Sequence, residues 1–147
     1  MIFNLKHYYG ILISFLEKVY SKIIILFFLL ASNFSAFSTD YVYKVEANGA
    51  SSYMFISIDL VDTLYNPNLN VKVGDKITLI HGAGPSHPLF IVSQLSGGAY
   101  SSSFNQAGVA DNGVVGGTII WDLTGVAPGE YYYICSNHAA MQGKIIV

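Results

Sequence analysis

From residue 41 onward, the sequence is a succession of short runs rich in β-branched and aromatic residues, separated by turn residues. No segment of this part sustains the 3.6-residue period of an amphipathic helix. Many short strands with frequent turns predict an all-β fold, an antiparallel sandwich or barrel of about seven strands in one domain. The predicted strands cover residues 41–45, 53–58, 77–81, 89–92, 118–123, 131–135 and 144–147, and the alternating run 71–73 is a further short candidate.

Residues 96–117 differ from these strand-like runs, because glycine pairs and a serine triplet interrupt them repeatedly. A stretch of that length in a compact domain is usually functional or disordered. We therefore expect a long, irregular excursion between two strands.

The first 38 residues differ in kind from the rest. Three lysines are scattered among the first 22 residues, and the run 23–31 that follows is apolar and uncharged. Ala36 and Ser38 then supply the small-x-small pattern of a cleavage site. This order is typical of a secretory signal. It predicts a signal peptide over residues 1–38 and an exported domain over residues 39–147.

The alternative for the N-terminal segment is an uncleaved anchor. The uncharged stretch 23–39 is at the lower limit of the roughly 17–25 residues that span a bilayer. We favour cleavage because the apolar run itself is short. A membrane is therefore a partner only in the alternative case, in which the segment is retained. The predicted location is the periplasm, with a thylakoid lumen or the cell exterior as the other exported compartments.

The charge content excludes several classes of protein. Charged residues are 11% of the chain, against about 25% in a typical domain. The formal net charge is -2 and all the basic residues are lysines, which argues against a nucleic-acid-binding protein. The single cysteine excludes an intramolecular disulfide and any site that needs two or more thiolates.

The residues that carry chemistry are concentrated near the C-terminal end, in the pattern C-x2-H-x2-M formed by Cys135, His138 and Met141. Strand alternation turns Cys135 inward at the end of its strand, and a tight loop brings the other two back toward it. A second imidazole, His87, precedes another predicted strand. Two imidazoles, one thiolate and a weak thioether are the ligand set of a trigonal copper site.

Each of these residues has a plainer explanation when it is taken alone. A lone cysteine is more often a small buried apolar residue, and a methionine beside a strand usually packs in the core. Zinc is the other metal to consider, but structural zinc prefers cysteine and histidine and rarely takes methionine. The joint spacing therefore favours one copper ion per chain, cycling between Cu(I) and Cu(II).

Residues 70–147 resemble the cupredoxins, the small blue copper proteins, and most closely their plastocyanin, amicyanin and pseudoazurin branch. Four segments carry the resemblance: the strand entry 71–79, the Pro-Ser-His at 85–87, the Pro-Gly-x-Tyr-x-Tyr-x-Cys at 128–135, and the short ligand loop 135–141.

The resemblance implies a Greek-key sandwich of eight strands. It also implies a monomeric protein that carries one electron at a time between larger redox proteins. Carried over position by position, it implies His87, Cys135 and His138 as the equatorial copper ligands. Met141 would be the long axial ligand.

The sequence departs from the family pattern at two positions. Pro88 stands where many members have an asparagine that hydrogen-bonds to the cysteine loop, so the support of the ligands must differ here. His81 stands where the family usually has a core asparagine. We favour a structural role for His81 over a role as an alternative ligand.

Three functions agree with these residues to different degrees. A one-electron carrier agrees with the complete ligand set. A copper chaperone or scavenger is the alternative, although such sites often add exposed methionines and only Met54 remains after residue 38 besides Met141. An enzyme is not expected and no catalytic residue is assigned, because further copper centres need a second cysteine or additional histidines.

Overall fold

The computed structural model of this chain describes residues 13–23, 37–58 and 62–147. The chain divides into two compact units, Met1–Phe37 and Ser38–Val147. In the first unit, residues 13–23 form a helix, α1, with exposed side chains. Most of the predicted apolar run 23–31 and Ala36 of the predicted cleavage site lie outside the described residues. Where the chain is described, no helix is both long and apolar enough to cross a membrane.

The second unit is all-β, as the sequence predicts, with a six-stranded and a four-stranded sheet. The six-stranded sheet has the order β3-β2-β1-β5-β8-β7, and the four-stranded sheet has the order β4-β10-β9-β6. The seven longer predicted strands are present, whereas the short candidate 71–73 is not a strand. Three short strands, β3, β4 and β7, bring the total among the described residues to ten. The strands are β1 Asp40–Asn48, β2 Ser52–Ser57, β3 Thr63–Tyr65, β4 Leu69–Asn70, β5 Lys76–His81, β6 Leu89–Val92, β7 Val109–Ala110, β8 Thr118–Asp122, β9 Glu130–Cys135 and β10 Gln142–Ile146.

The sheets are mixed, whereas the sequence predicts an antiparallel sandwich. β1 pairs in parallel with β5, and β4 pairs in parallel with β10. The remaining strand pairs are antiparallel. Parallel neighbours need a long connection, and the chain supplies one in each case because several strands intervene.

Alternating side chains of the strands form the core between the sheets. In β5, Ile77, Leu79 and His81 are buried, while the intervening residues are more exposed. This period of two is what places one imidazole inside the sandwich. Trp121 and Tyr133 are among the largest fully buried side chains of the same core.

Residues 96–117 are more regular than the sequence suggests. They include a 3₁₀ turn, Ser102–Phe104, and the edge strand β7. The side chain of Asn112 accepts a hydrogen bond from the Ile91 N–H (2.8 Å) and donates one to the Ile91 carbonyl (2.9 Å). Because this amide satisfies both backbone groups of Ile91, the excursion is attached to β6 by hydrogen bonds that its glycine-rich composition does not predict.

Candidate metal centre

The pairing of β6 with β9 brings the two chemically active segments together. Leu89, the first residue of β6, lies opposite Cys135, the last residue of β9. His87 lies two residues before Leu89, and this pairing therefore brings it close to the thiol. One ligand atom from each of His87, Cys135 and His138 lies within 4.8 Å of the other two. The distant His87 and the C-terminal pair thus form one cluster.

The ligand loop between β9 and β10 is closed by its own backbone. The Cys135 N–H donates to the Met141 carbonyl at 2.9 Å, and the Met141 N–H donates to the His138 carbonyl at 3.0 Å. Met141 and Cys135 belong to the same buried cluster of the core. The two x2 spacings of the motif therefore correspond to a tight turn whose end residues, Cys135 and Met141, are both buried.

The donor atoms fit a single small ion. The Cys135 Sγ lies 3.6 Å from the His138 Nδ1, and the rings of His87 and His138 are 4.7 Å apart between centroids. Ligands at about 2.0–2.3 Å from a shared ion stand roughly 3.5–4 Å from one another. The His87 Nδ1 is buried and has no hydrogen-bond partner among the described residues. A metal ion coordinated by this ring nitrogen would give it the partner that it lacks.

Electrostatics keep the first histidine in the form that binds metals. Burial lowers the pKa of His87, and the nearby imidazoles of His138 and His81 lower it further. A neutral imidazole offers a lone pair, whereas an imidazolium does not. Close by, burial raises the pKa of Tyr53, and the Cys135 thiol adds to this effect. The Tyr53 hydroxyl therefore stays protonated as a hydrogen-bond donor.

The loop of the first histidine is fixed without an asparagine at position 88. The Asn137 side-chain amide donates to the Ser86 carbonyl at 3.0 Å, and the Ser136 N–H donates to the Pro88 carbonyl at 3.2 Å. The cross-loop support therefore exists, but its donors come from the cysteine loop rather than from the residue after His87.

The far side of the ligand loop is held by Asn66. Its side-chain amide donates to the Ala140 carbonyl at 2.9 Å, and its side-chain oxygen accepts from the Tyr53 N–H at 2.9 Å. Asn66 has a φ of 43°, in the left-handed region that asparagine tolerates better than most residues. This one side chain therefore links β2 to the loop that carries His138 and Met141.

His81 lies behind the cluster rather than in it. It is 3% exposed, and its two ring nitrogens contact the His87 carbonyl oxygen and the Gly116 N–H. Since both nitrogens face backbone groups, neither is directed at the ligand atoms of the cluster. The structural role favoured for His81 agrees with these contacts.

Three supporting residues were not singled out from the sequence: Tyr53, Asn66 and Asn137. The Tyr53 hydroxyl donates to the His87 carbonyl at 2.8 Å across a separation of 34 residues. The pattern of neighbouring residues along the sequence gives no signal for a contact between positions so far apart. Asn137 lies inside the C-x2-H motif, and its amide could have been recognised as a donor positioned next to the ligands.

Comparison with known proteins gives one family and several similar folds. The family described as copper binding proteins, plastocyanin/azurin family, matches residues 43–147. Rusticyanin from Thiobacillus ferrooxidans is 24% identical over 77% of this chain and 79% of its own, with a TM-score of 0.47. A purple cupredoxin from Nitrosopumilus maritimus is 22% identical over 74% of this chain and 99% of its own, with a TM-score of 0.44. No curated protein sequence matches the chain significantly.

Proposed function

This chain belongs to the plastocyanin/azurin family of copper-binding proteins, and we propose that it is an exported one-electron carrier with a single type 1 copper site. His87, Cys135 and His138 are the proposed equatorial ligands, and Met141 is the proposed axial ligand. Larger redox proteins donate and accept the electron, and the carrier itself is a monomer.

The observation that carries this proposal is the convergence of the three ligand atoms within 4.8 Å, together with the unpartnered Nδ1 of His87. Copper bound there supplies a one-electron couple between Cu(II) and Cu(I). The Cys135 thiolate suits the reduced ion, and the two imidazoles suit both oxidation states. One fixed set of donors therefore serves both halves of the cycle.

Rigidity of the loops favours electron transfer over copper handling. Asn137 and Asn66 fix the ligand loop from two sides, and backbone hydrogen bonds close it. Donors held in this way need little rearrangement when an electron arrives or leaves. A copper chaperone must instead release its ion to a partner, which is easier from donors on a loosely held loop.

The hydrogen bonds of His81 support a non-catalytic role for the protein. Its two ring nitrogens contact backbone groups, so it does not offer a ligand to a second ion. Within the described residues, His87, Cys135 and His138 form the one group of donors placed to hold a metal. A single centre of this kind can pass an electron on.

The route for the electron is proposed to pass through His138. This side chain is partly exposed, and the neighbouring Ala139 and Ala140 are exposed at the same loop. Cys135, by contrast, is 1% exposed. A partner protein can therefore approach the imidazole of His138 more closely than the buried sulfur atoms of Cys135 and Met141.

Export is proposed from residues 1–38, which have the order of a secretory signal. The domain that remains, residues 39–147, carries every proposed ligand. The periplasm is the proposed compartment.

A copper titration of the exported chain tests the proposal. Intense colour that saturates at one Cu(II) per chain, bleaches with ascorbate and returns with oxidant is the expected result. Colourless binding, or tight binding of Cu(I) alone, would replace the electron carrier with a copper-handling protein. Failure to bind copper would contradict the ligand assignment itself.

A further inference from the structure

A buried carboxylate receives the backbone nitrogen of the first residue after the predicted leader. The Thr39 nitrogen lies 2.9 Å from Asp75 Oδ1. Asp75 is 2% exposed, and its other oxygen accepts from the Lys72 N–H at 2.7 Å. The contacts therefore place a buried negative charge directly against the main-chain nitrogen of Thr39.

Thr39 is also fixed on its carbonyl side. Its carbonyl accepts from the Lys76 N–H at 2.9 Å, which starts the parallel pairing of β1 with β5. Next along the chain, Asp40 forms an ion pair with the Lys76 ammonium at 2.6 Å. Phe37, two residues before Thr39, has a side chain that is 98% exposed. Thr39 is therefore held by hydrogen bonds at both its nitrogen and its carbonyl.

The bond that precedes Thr39 is also the bond at which the sequence predicts cleavage. Ala36 and Ser38 occupy the two positions that a leader peptidase requires to be small. We infer that hydrolysis of the Ser38–Thr39 bond creates an N-terminal ammonium on Thr39 that pairs with the buried Asp75 carboxylate. This inference rests on the export included in the proposed function.

The chemistry of the step is ordinary peptide hydrolysis by a leader peptidase. The C–N bond between Ser38 and Thr39 breaks, and the hydroxyl of water goes to the Ser38 carbonyl carbon. The proton of that water goes to the Thr39 nitrogen, which takes up another proton at neutral pH. A neutral N–H donor thereby becomes a cationic donor at the same position.

The change of the Thr39 nitrogen from an amide to an ammonium strengthens its existing contact with Asp75 and creates no new contact. Hydrogen bonds between ionised partners are roughly twice as strong as neutral ones. A cation also compensates the charge of a carboxylate that receives neutral backbone donors in the unprocessed chain. Close by, the Lys76 ammonium pairs with Asp40 and also adds to the effect of the hydrogen bonds that lower the pKa of Asp122.

The geometry makes the effect specific to one cleavage position. Consecutive residues are about 3.8 Å apart along the chain, so cleavage one bond earlier or later moves the ammonium away from Asp75. The fold therefore distinguishes a chain that begins at Thr39 from chains that begin at neighbouring residues.

The experiment expresses the full-length chain in a bacterium that exports it and compares it with two variants. One variant carries an alanine inserted between Ser38 and Thr39, so that Thr39 N remains an amide after cleavage. The other is Asp75→Asn, made with and without the insertion. The intact mass of each purified protein establishes its first residue.

We expect the exported protein to begin at Thr39 and to have an unfolding equilibrium constant about tenfold smaller than the insertion variant. In the Asp75→Asn background the insertion should change that constant less than twofold. Equal stability with and without the insertion would refute the pair, and a first residue other than Thr39 would refute the cleavage position.

Because Asp75→Asn also alters the contact with Lys72, that variant can fail to fold. Acylation of the α-amine at neutral pH then tests the pair without it. We expect the Thr39 amine to react about tenfold more slowly than the displaced amine of the insertion variant. Equal rates would refute the pair. Copper colour, recorded on every sample, reports separately on the metal site, and retention of residues 1–38 would refute the cleavage on which the pair depends.

Discussion

The imidazole of His81 donates a hydrogen bond from its Nε2 to the backbone carbonyl of His87, at 2.8 Å. The direction follows from the other ring nitrogen, because Nδ1 accepts from the Gly116 N–H at 3.2 Å and so carries no proton. The Tyr53 hydroxyl donates to the same carbonyl at 2.8 Å. Two buried side chains therefore fix the backbone of the first proposed ligand.

This arrangement predicts that His81 and Tyr53 act together. Either His81→Ala or Tyr53→Phe leaves the His87 carbonyl one donor, whereas the double variant leaves it none. We expect the double variant to lose about 1–3 kcal/mol more stability than the two single variants added together. Denaturant unfolding measures this coupling.

Tyr133→Phe is the matched control for Tyr53→Phe. Tyr133 is also fully buried, but its hydroxyl donates to the Pro67 carbonyl at 2.8 Å. Its effect should simply add to that of His81→Ala. The His81→Ala variant should keep its copper colour, and loss of that colour would make His81 a ligand.

Replacement of the thiol should remove the colour of the oxidised protein. In Cys135→Ser the hydroxyl cannot supply the thiolate donor from which intense absorption by Cu(II) arises. We expect the visible band to disappear and the affinity for Cu(I) to fall. Ser136→Ala, one residue along the loop, should retain the band, and full colour in Cys135→Ser would overturn the ligand assignment.

Substitution of Met141 should change the reduction potential while copper remains bound. Leucine fills a similar buried volume but removes an axial donor, so Cu(II) loses more stabilisation and the potential rises. Glutamine offers a harder oxygen donor that favours Cu(II), so the potential falls. Voltammetry of both variants measures these shifts, and an unchanged potential in both would mean that Met141 only packs.

The cross-loop contact of Asn137 should affect retention of the ion more than stability of the fold. The side chain is exposed, so Asn137→Ala should change the free energy of unfolding by only about 0.5 kcal/mol. Without its bond to the Ser86 carbonyl, however, the loop of His87 is less constrained. We expect copper to pass to a chelator several-fold faster than from the parent protein.

Gln106→Ala provides the comparison for Asn137→Ala, because it removes a half-buried side-chain amide that donates to the carbonyl of the adjacent Ala107. Its rate of copper loss should equal that of the parent protein. Equal rates in all three proteins would show that the Asn137 contact does not hold the ligand loop.

Gly143 is required by the packing beneath the ligand loop. A Cβ at this position would approach the Tyr133 hydroxyl and lie 2.7 Å from the Pro67 carbonyl oxygen. We therefore expect Gly143→Ala to cost about 1–3 kcal/mol by overpacking. In Gly129→Ala the new Cβ would meet only a Tyr131 ring carbon at 4.0 Å, so thermal unfolding of that variant should stay close to the parent.

The strands were predictable because alternation and turn residues are local signals. The motif formed by Cys135, His138 and Met141 could likewise be recognised, since its members lie close together along the chain. Register between distant strands carries no such signal. The parallel pairing of β1 with β5 therefore could not be read from the runs themselves.

The hydrogen bonds that hold the ligand loops in place could not be predicted from the sequence for the same reason. The hydrogen bond from Asn66 to the Ala140 carbonyl joins residues 74 positions apart, and Asn66 lies outside every predicted strand. The alignment of the sequence with its family pattern indicated that Pro88 removes a familiar donor, but not which residues replace it. Their identity depends on how the loops meet in three dimensions.

The order in which the proposed ligands occur along the chain also sets the time at which copper is captured. An exported chain that crosses a membrane from its N-terminus delivers His87 first and the thiolate of Cys135 much later. The softest donor, which contributes most to affinity for Cu(I), thus reaches the outer compartment only with β9. On the proposed export and ligand set, we therefore expect copper uptake to be a late event that marks a chain whose translocation and folding are nearly complete.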